Sequence, residues 1–165
     1  YGEVFPEPAA FNFSRELIKI PSLDGSGKMS KSENQNATLY LADDDDLIRK
    51  KLMKAKTDSA PETMNSEKPE HINNIFQLMK LVSSEDFINK MEADFNNCTI
   101  RYGDLKKQLA EDMIKFISPV RQKATDILEN EKYLQEVMEK GAEKARASAG
   151  RTMKIVREAM GLNYF

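Results

Sequence analysis

Apolar residues recur at three- and four-residue intervals through most of this chain, and from Asp43 onward the pattern is that of amphipathic helices. The first helix, over about 43–56, opens on four aspartates (Asp43, Asp44, Asp45 and Asp46) and closes on Arg49, Lys50, Lys51, Lys54 and Lys56. Acids at the start and bases at the end complement the helix macrodipole. Neighbours in sequence point in different directions on a helix, so the aspartates read as a cap and first turn rather than as a metal site. Residues 57–69 are polar and carry Pro61 and Pro69, which predicts a connector and the hinge between two parts.

Two short helices follow. One, over about 70–82, puts Ile72, Ile75, Phe76, Met79 and Val82 on one face; the next, over about 84–95, does the same with Phe87, Ile88, Met91 and Phe95. Ser84 followed by Glu85 and Asp86 is a start signal, and Asn96-Asn97-Cys98 closes the pair. A longer helix over about 103–129 repeats Leu105, Leu109, Met113, Phe116, Val120, Ala124 and Ile127. Pro119 lies within it and predicts a kink or a split near Ile117-Ser118, because proline removes one backbone donor and crowds the preceding turn. The last helix, over about 131–160, stacks Leu134, Val137, Met138, Gly141, Ala142, Ala145, Ala149, Thr152, Ile155, Val156 and Ala159 on one face. Its small residues predict close approach of a neighbouring helix. The fold class is therefore mainly α.

Before Asp43 the chain differs. Residues 1–41 carry Pro6, Pro8 and Pro21, a possible short helix or strand at Leu17–Ile20, and an extended stretch at Thr38-Leu39-Tyr40-Leu41. The part up to about residue 35 reads as an arm from the edge of an α/β domain.

Composition narrows the class. Apolar content of 40% with 32% charged residues is that of a soluble globular protein, with no apolar run of membrane length and no signal-peptide pattern at the start. The single cysteine, Cys98, excludes an internal disulfide and predicts a cytoplasmic setting. A net charge of −2 argues against wholesale binding of polyanions. Charge is nevertheless uneven: residues 143–157 hold Lys144, Arg146, Arg151, Lys154 and Arg157 against Glu143 alone. Lys140, Lys144, Arg151 and Lys154 fall on a stripe about 80° wide at the helix period. Such a stripe is a solvated flank or a phosphate-contacting surface.

The strongest candidate for chemistry is Lys28-Met29-Ser30-Lys31-Ser32, just after the turn Asp24-Gly25-Ser26-Gly27. Two ammonium groups with hydroxyls and backbone N–H groups between them can fold over a polyphosphate. A P-loop is excluded, since Ser22 and Met29 stand where that motif needs glycine and Ser or Thr. A basic solvated loop is the plain alternative.

Lys28 to Ser32 read KMSKS, which resembles the second ATP-binding motif of class I aminoacyl-tRNA synthetases. Around it, Ile20-Pro21-Ser22-Leu23-Asp24, Leu39-Tyr40-Leu41, the aspartates and Thr57-Asp58-Ser59 follow in the order found in tryptophanyl-tRNA synthetases. Near the end, Glu139-Lys140-Gly141-Ala142-Glu143-Lys144-Ala145 and Glu158-Ala159-Met160-Gly161-Leu162 resemble that family's terminal helix. Glu33 stands where the family commonly has aspartate.

The resemblance implies two parts: residues 1–60 as the end of a Rossmann-type catalytic domain, and residues 61–165 as a helical anticodon-binding domain. It implies ATP, with accompanying Mg2+, L-tryptophan and tRNA(Trp) as partners, a homodimeric parent and no membrane. Lys31 and then Lys28 would be catalytic; Ile20, Met29, Ser30 and Ser32 would complete the ATP site, Ile20 on the adenine side. The HIGH-like motif and the tryptophan pocket have no counterpart here, His71 being the sole histidine, and Tyr1 is not an initiator methionine. The expectation is a fragment inactive alone, with a mobile KMSKS loop. A tyrosyl-tRNA synthetase fragment and a non-catalytic helical interaction module are the alternatives.

Overall fold

Three of the five α-helices begin where a side chain takes up a stranded amide. In the computed structural model, which describes residues 2, 4–11, 19–32 and 34–162, five α-helices follow a three-residue 3-10 helix at Gln35–Ala37. They are α1 (Asp45–Met53), α2 (Glu70–Val82), α3 (Glu85–Asn96), α4 (Tyr102–Glu129) and α5 (Glu131–Met160). Among the described residues there is no strand, only an isolated antiparallel bridge between Pro21 and Lys28. The mainly α expectation holds. Leu17 and Ile18 of the Leu17–Ile20 stretch, and the terminal residues 163–165, lie outside the described residues.

Caps explain the boundaries. The Asp44 carboxylate accepts the Leu47 amide at 2.7 Å, with Asp45 and Asp46 in the first turn and Lys50 and Lys51 in the last. Ser84 caps α3 through the Phe87 amide, and Asn130 caps α5 through the Tyr133 amide at 3.1 Å. At the far end of α5, Gly161 (φ 68°) turns left-handed and Leu162 N–H reaches back to the Arg157 carbonyl at 2.8 Å, a Schellman closure.

Two compact units separate by their contacts: Ile18–Lys123, and Ala124–Phe165 with Tyr1–Leu17. The first holds the buried core: Ile48 and Leu52 from α1, Ile72, Ile75, Phe76 and Met79 from α2, Met91 and Phe95 from α3, and Leu105, Leu109 and Met113 from α4. Phe76 and Phe95 meet edge to face, ring centroids 6.1 Å apart. Residues 57–69 run along this unit and are pinned to it. Lys68 Nζ sits 2.6 Å from Glu92 and 4.8 Å from both rings, and the Asn65 amide donates to the Asn96 carbonyl at 3.0 Å.

Helix α1 is strapped to α4 along its length. Arg121 donates to the Asp43 carbonyl and the Asp45 carboxylate at one end, and Arg49 pairs with Glu111 at 2.8 Å in the middle. At the other end the Lys106 ammonium takes the Ala55 carbonyl at 2.7 Å, where the helix dipole favours a cation. Burial pushes the Lys106 ammonium below the usual lysine range.

Of the kink or split expected at Pro119, the split does not occur, and α4 runs unbroken from Tyr102 to Glu129. Lys115, whose carbonyl loses its amide partner, is exposed, and Ser118 and Arg121 on either side of the proline both bond Asp45. The buried face of α4 also departs from the pattern. Ile114 and Ile117 are buried, whereas Phe116 is 58% exposed, and α4 has no buried residue after Ile117. In α5 the stripe of small and apolar residues is present but uncovered, since no residue of the helix is buried. Among the described residues no helix is long and apolar enough to cross a membrane.

Candidate phosphate-binding loop

The loop is built on a tight hairpin. The Ser22 amide donates to the Gly27 carbonyl at 2.7 Å, and the Met29 amide to the Ile20 carbonyl at 2.8 Å. Gly25 (φ 79°) and Gly27 (φ 113°) make the reversal in backbone space that other residues rarely enter. A Cβ on Gly25 would also stand 3.3 Å from His71 Cβ, so the turn lies directly against α2.

Asp24 gathers both ends of the loop. Its carboxylate accepts Ser26 Oγ at 2.6 Å, Ser22 Oγ at 2.7 Å, the Ser26 amide at 3.0 Å and Asn34 Nδ2 at 3.1 Å. The Ser26 hydroxyl first, then the Ser22 hydroxyl and the Ser26 amide, hold this carboxyl well below the usual carboxylate range, against a smaller upward push from burial. Asn34 in turn caps the 3-10 helix through the Asn36 amide at 3.0 Å.

A carboxyl depressed in the folded state contributes stability above its ordinary pKa, and the contribution is lost as pH falls through the folded value. Asp24→Asn should therefore lower the urea midpoint at pH 6, and the gap to wild type should narrow between pH 4 and pH 2, with unfolding followed by circular dichroism. A gap that stays constant over that interval would remove Asp24 from the acid-sensitive clasp.

The five motif residues divide by environment. Met29 is half-buried and packs on the hydrophobic core, so it anchors the loop. Lys28 and Lys31 are exposed, and among the described residues neither makes an ion pair. Ser30 and Ser32 hydroxyls lie 3.1 Å apart. Thr38 Oγ1 donates to the Ser30 carbonyl at 3.1 Å, fixing the backbone between the two lysines. Ile20 is 45% exposed beside the hairpin. Two unneutralised ammonium groups, two hydroxyls and a fixed backbone suit a polyanion of several oxygens. The loop thus has a defined hydrogen-bonded form.

Sequence reasoning missed Asn34 and Thr38, and took Asp24 only as part of the turn. An Asx residue before Gly-Ser, able to bond the backbone two residues on, was the available signal for Asp24. No local signal marks Thr38, since its partner lies eight residues back.

Residues 2–118 match the family model of class I tRNA synthetases (W and Y). This chain belongs to that family. It is 48% identical over 96% of its length to a tryptophan–tRNA ligase of Porphyromonas gingivalis, of which it covers 48%. Among solved structures it resembles the tryptophanyl-tRNA synthetase of Campylobacter jejuni, with a TM-score of 0.73 and 28% identity, over 98% of this chain and 49% of that one. A second structure from that organism, complexed with ADP and tryptophan, superposes with a TM-score of 0.70 at 28% identity, over 90% of this chain and 45% of that one. The chain spans about half the length of the relatives it matches. Within this synthetase family the KMSKS residues acquire a chemical context that the loop geometry alone does not give.

Proposed function

We propose that this chain is one half of a tryptophan–tRNA ligase, supplying the KMSKS loop and the tRNA-binding helices. The observation that carries the reading is the loop: Met29 packs against the core, while Lys28 and Lys31 are exposed and make no ion pair among the described residues. Residues 1–60 would close a Rossmann-type catalytic domain and residues 61–165 would form the anticodon-binding domain. The parent would be a cytoplasmic homodimer.

In the first step the tryptophan carboxylate attacks the α-phosphorus of ATP; the bond to the bridging oxygen breaks and pyrophosphate leaves, giving the adenylate. The ribose hydroxyl at the tRNA 3′ end then attacks the activated carbonyl and releases AMP. Charge builds on the departing pyrophosphate in the first step. Lys31, and secondarily Lys28, would meet that charge, with Ser30, Ser32 and the Met29 backbone completing the cradle and Ile20 against the adenine. A cation that gains its contact only as charge develops lowers the barrier; one that binds ATP equally throughout does not.

Mg2+ would accompany the nucleotide phosphates, as the resemblance to the family implies. The exposed stripe Lys140, Lys144, Arg151 and Lys154 of α5 would contact tRNA phosphates.

ATP–pyrophosphate exchange tests the reading. A full-length ligase carrying this chain should exchange with tryptophan and not with tyrosine, and the 165-residue chain alone should not exchange. Tyrosine-dependent exchange would reassign the amino acid, and tryptophan-dependent exchange by the isolated chain would overturn the half-site reading.

A further inference from the structure

We propose that Thr38 is a positioning residue for the KMSKS lysines, latching the loop to the buried Lys51–Asp43 pair of the helical unit. The inference rests on the phosphate-binding reading of the loop.

Among the described residues the Thr38 hydroxyl makes the one hydrogen bond that joins residues 30–32 to anything beyond themselves. It reaches the Ser30 carbonyl, midway between Lys28 and Lys31, at 3.1 Å. Thr38 itself cannot easily yield. It is buried and extended (φ −117°, ψ 128°), and its β-branched side chain is stiff at χ1. On one side, the Ala37 carbonyl accepts the Leu23 amide at 3.0 Å. On the other, its own carbonyl accepts Lys51 Nζ at 2.9 Å, and Lys51 is paired with Asp43 at 2.7 Å. Asp43 also accepts the Tyr40 amide at 2.9 Å, which closes the ring of bonds around residues 38–43.

A rigid donor facing a loop carbonyl acts as a latch. The resting place of the two ammonium groups is then set by α1 rather than by the loop's own turn. Without this bond the positions of the two lysines spread.

Trypsin cleaves after lysine, so the loop carries its own probe. Cleavage of transiently opened segments follows the population of the open form when opening is fast. In the 165-residue chain, Thr38→Val keeps the shape and removes the donor. Initial cleavage after Lys28 and Lys31, read by mass spectrometry, should rise about fivefold, the population equivalent of one neutral hydrogen bond. Cleavage after Lys107 and Lys115 in α4 should stay at the wild-type rate, and Thr38→Ser should restore wild-type cleavage at the loop. In a full-length ligase the same Val variant should lower kcat of exchange about fivefold, with KM for ATP within about twofold. Unchanged loop cleavage in Thr38→Val overturns the latch, as does equal acceleration at the α4 sites or failure of serine to rescue. Loosened cleavage with kcat unmoved overturns the positioning role. A ligase that shows no exchange at all, with loop cleavage still responding to Thr38, fails the functional reading and leaves the latch standing.

Discussion

In a full-length ligase carrying this chain, Lys31→Ala should slow tryptophan activation by roughly a hundred- to a thousandfold. That is the effect of removing one preorganised contact to transition-state charge, about 2.7–4 kcal/mol. Lys31 is exposed and unpaired among the described residues, so in the free chain its charge is met by water. A lysine that meets phosphate charge only as it develops would add little to ATP affinity. The loss should therefore appear in kcat, with KM for ATP moved far less. Pre-steady-state adenylate formation over a range of ATP concentrations separates the two. Equal losses in rate and in ATP affinity would show that Lys31 grips the substrate throughout and contributes nothing special to the barrier.

The second large effect falls on stability. Lys51 and Asp43 side chains are only 6% and 7% exposed, and their charged atoms lie 2.7 Å apart. Lys51 also faces the Tyr40 ring at 4.7 Å. Lys51→Met keeps most of the volume but leaves a buried carboxylate without its cation, a change that costs about 3–5 kcal/mol. Urea unfolding of the 165-residue chain measures it. Adding Asp43→Asn to Lys51→Met should return part of the loss, because the stranded charge is then gone. A single-variant loss below about 1 kcal/mol, as for a surface pair, would mean that water reaches the site.

These effects mark where sequence reading succeeds and where it stops. The caps Asp44 and Ser84 were legible because a capping side chain and its amide lie within one turn. The core positions of α2 were legible because one face repeats for three turns. Asp43 was grouped with the three aspartates after it, and Lys51 with the basic end of the helix. Both are drawn inward because Thr38 and Tyr40 offer a carbonyl and an amide, partners that periodicity cannot reveal. At Pro119 the helix stays unbroken where Ser118 and Arg121, on either side of the proline, both donate to a distant aspartate, Asp45. The KMSKS letters identified the loop, yet the division into a packed methionine and two exposed lysines became visible only against the core.

Helix α5 extends about 45 Å at the standard rise, and no residue of it is buried. Its backbone order therefore draws on intrinsic propensity, the Asn130 cap and the Gly161 closure rather than on a core. Opening it exposes little new apolar surface, so it need not wait for the unit Ile18–Lys123 to unfold. Its amide protons would then exchange with solvent through brief local fraying, orders of magnitude sooner than those of α2, whose release requires the loss of the whole core.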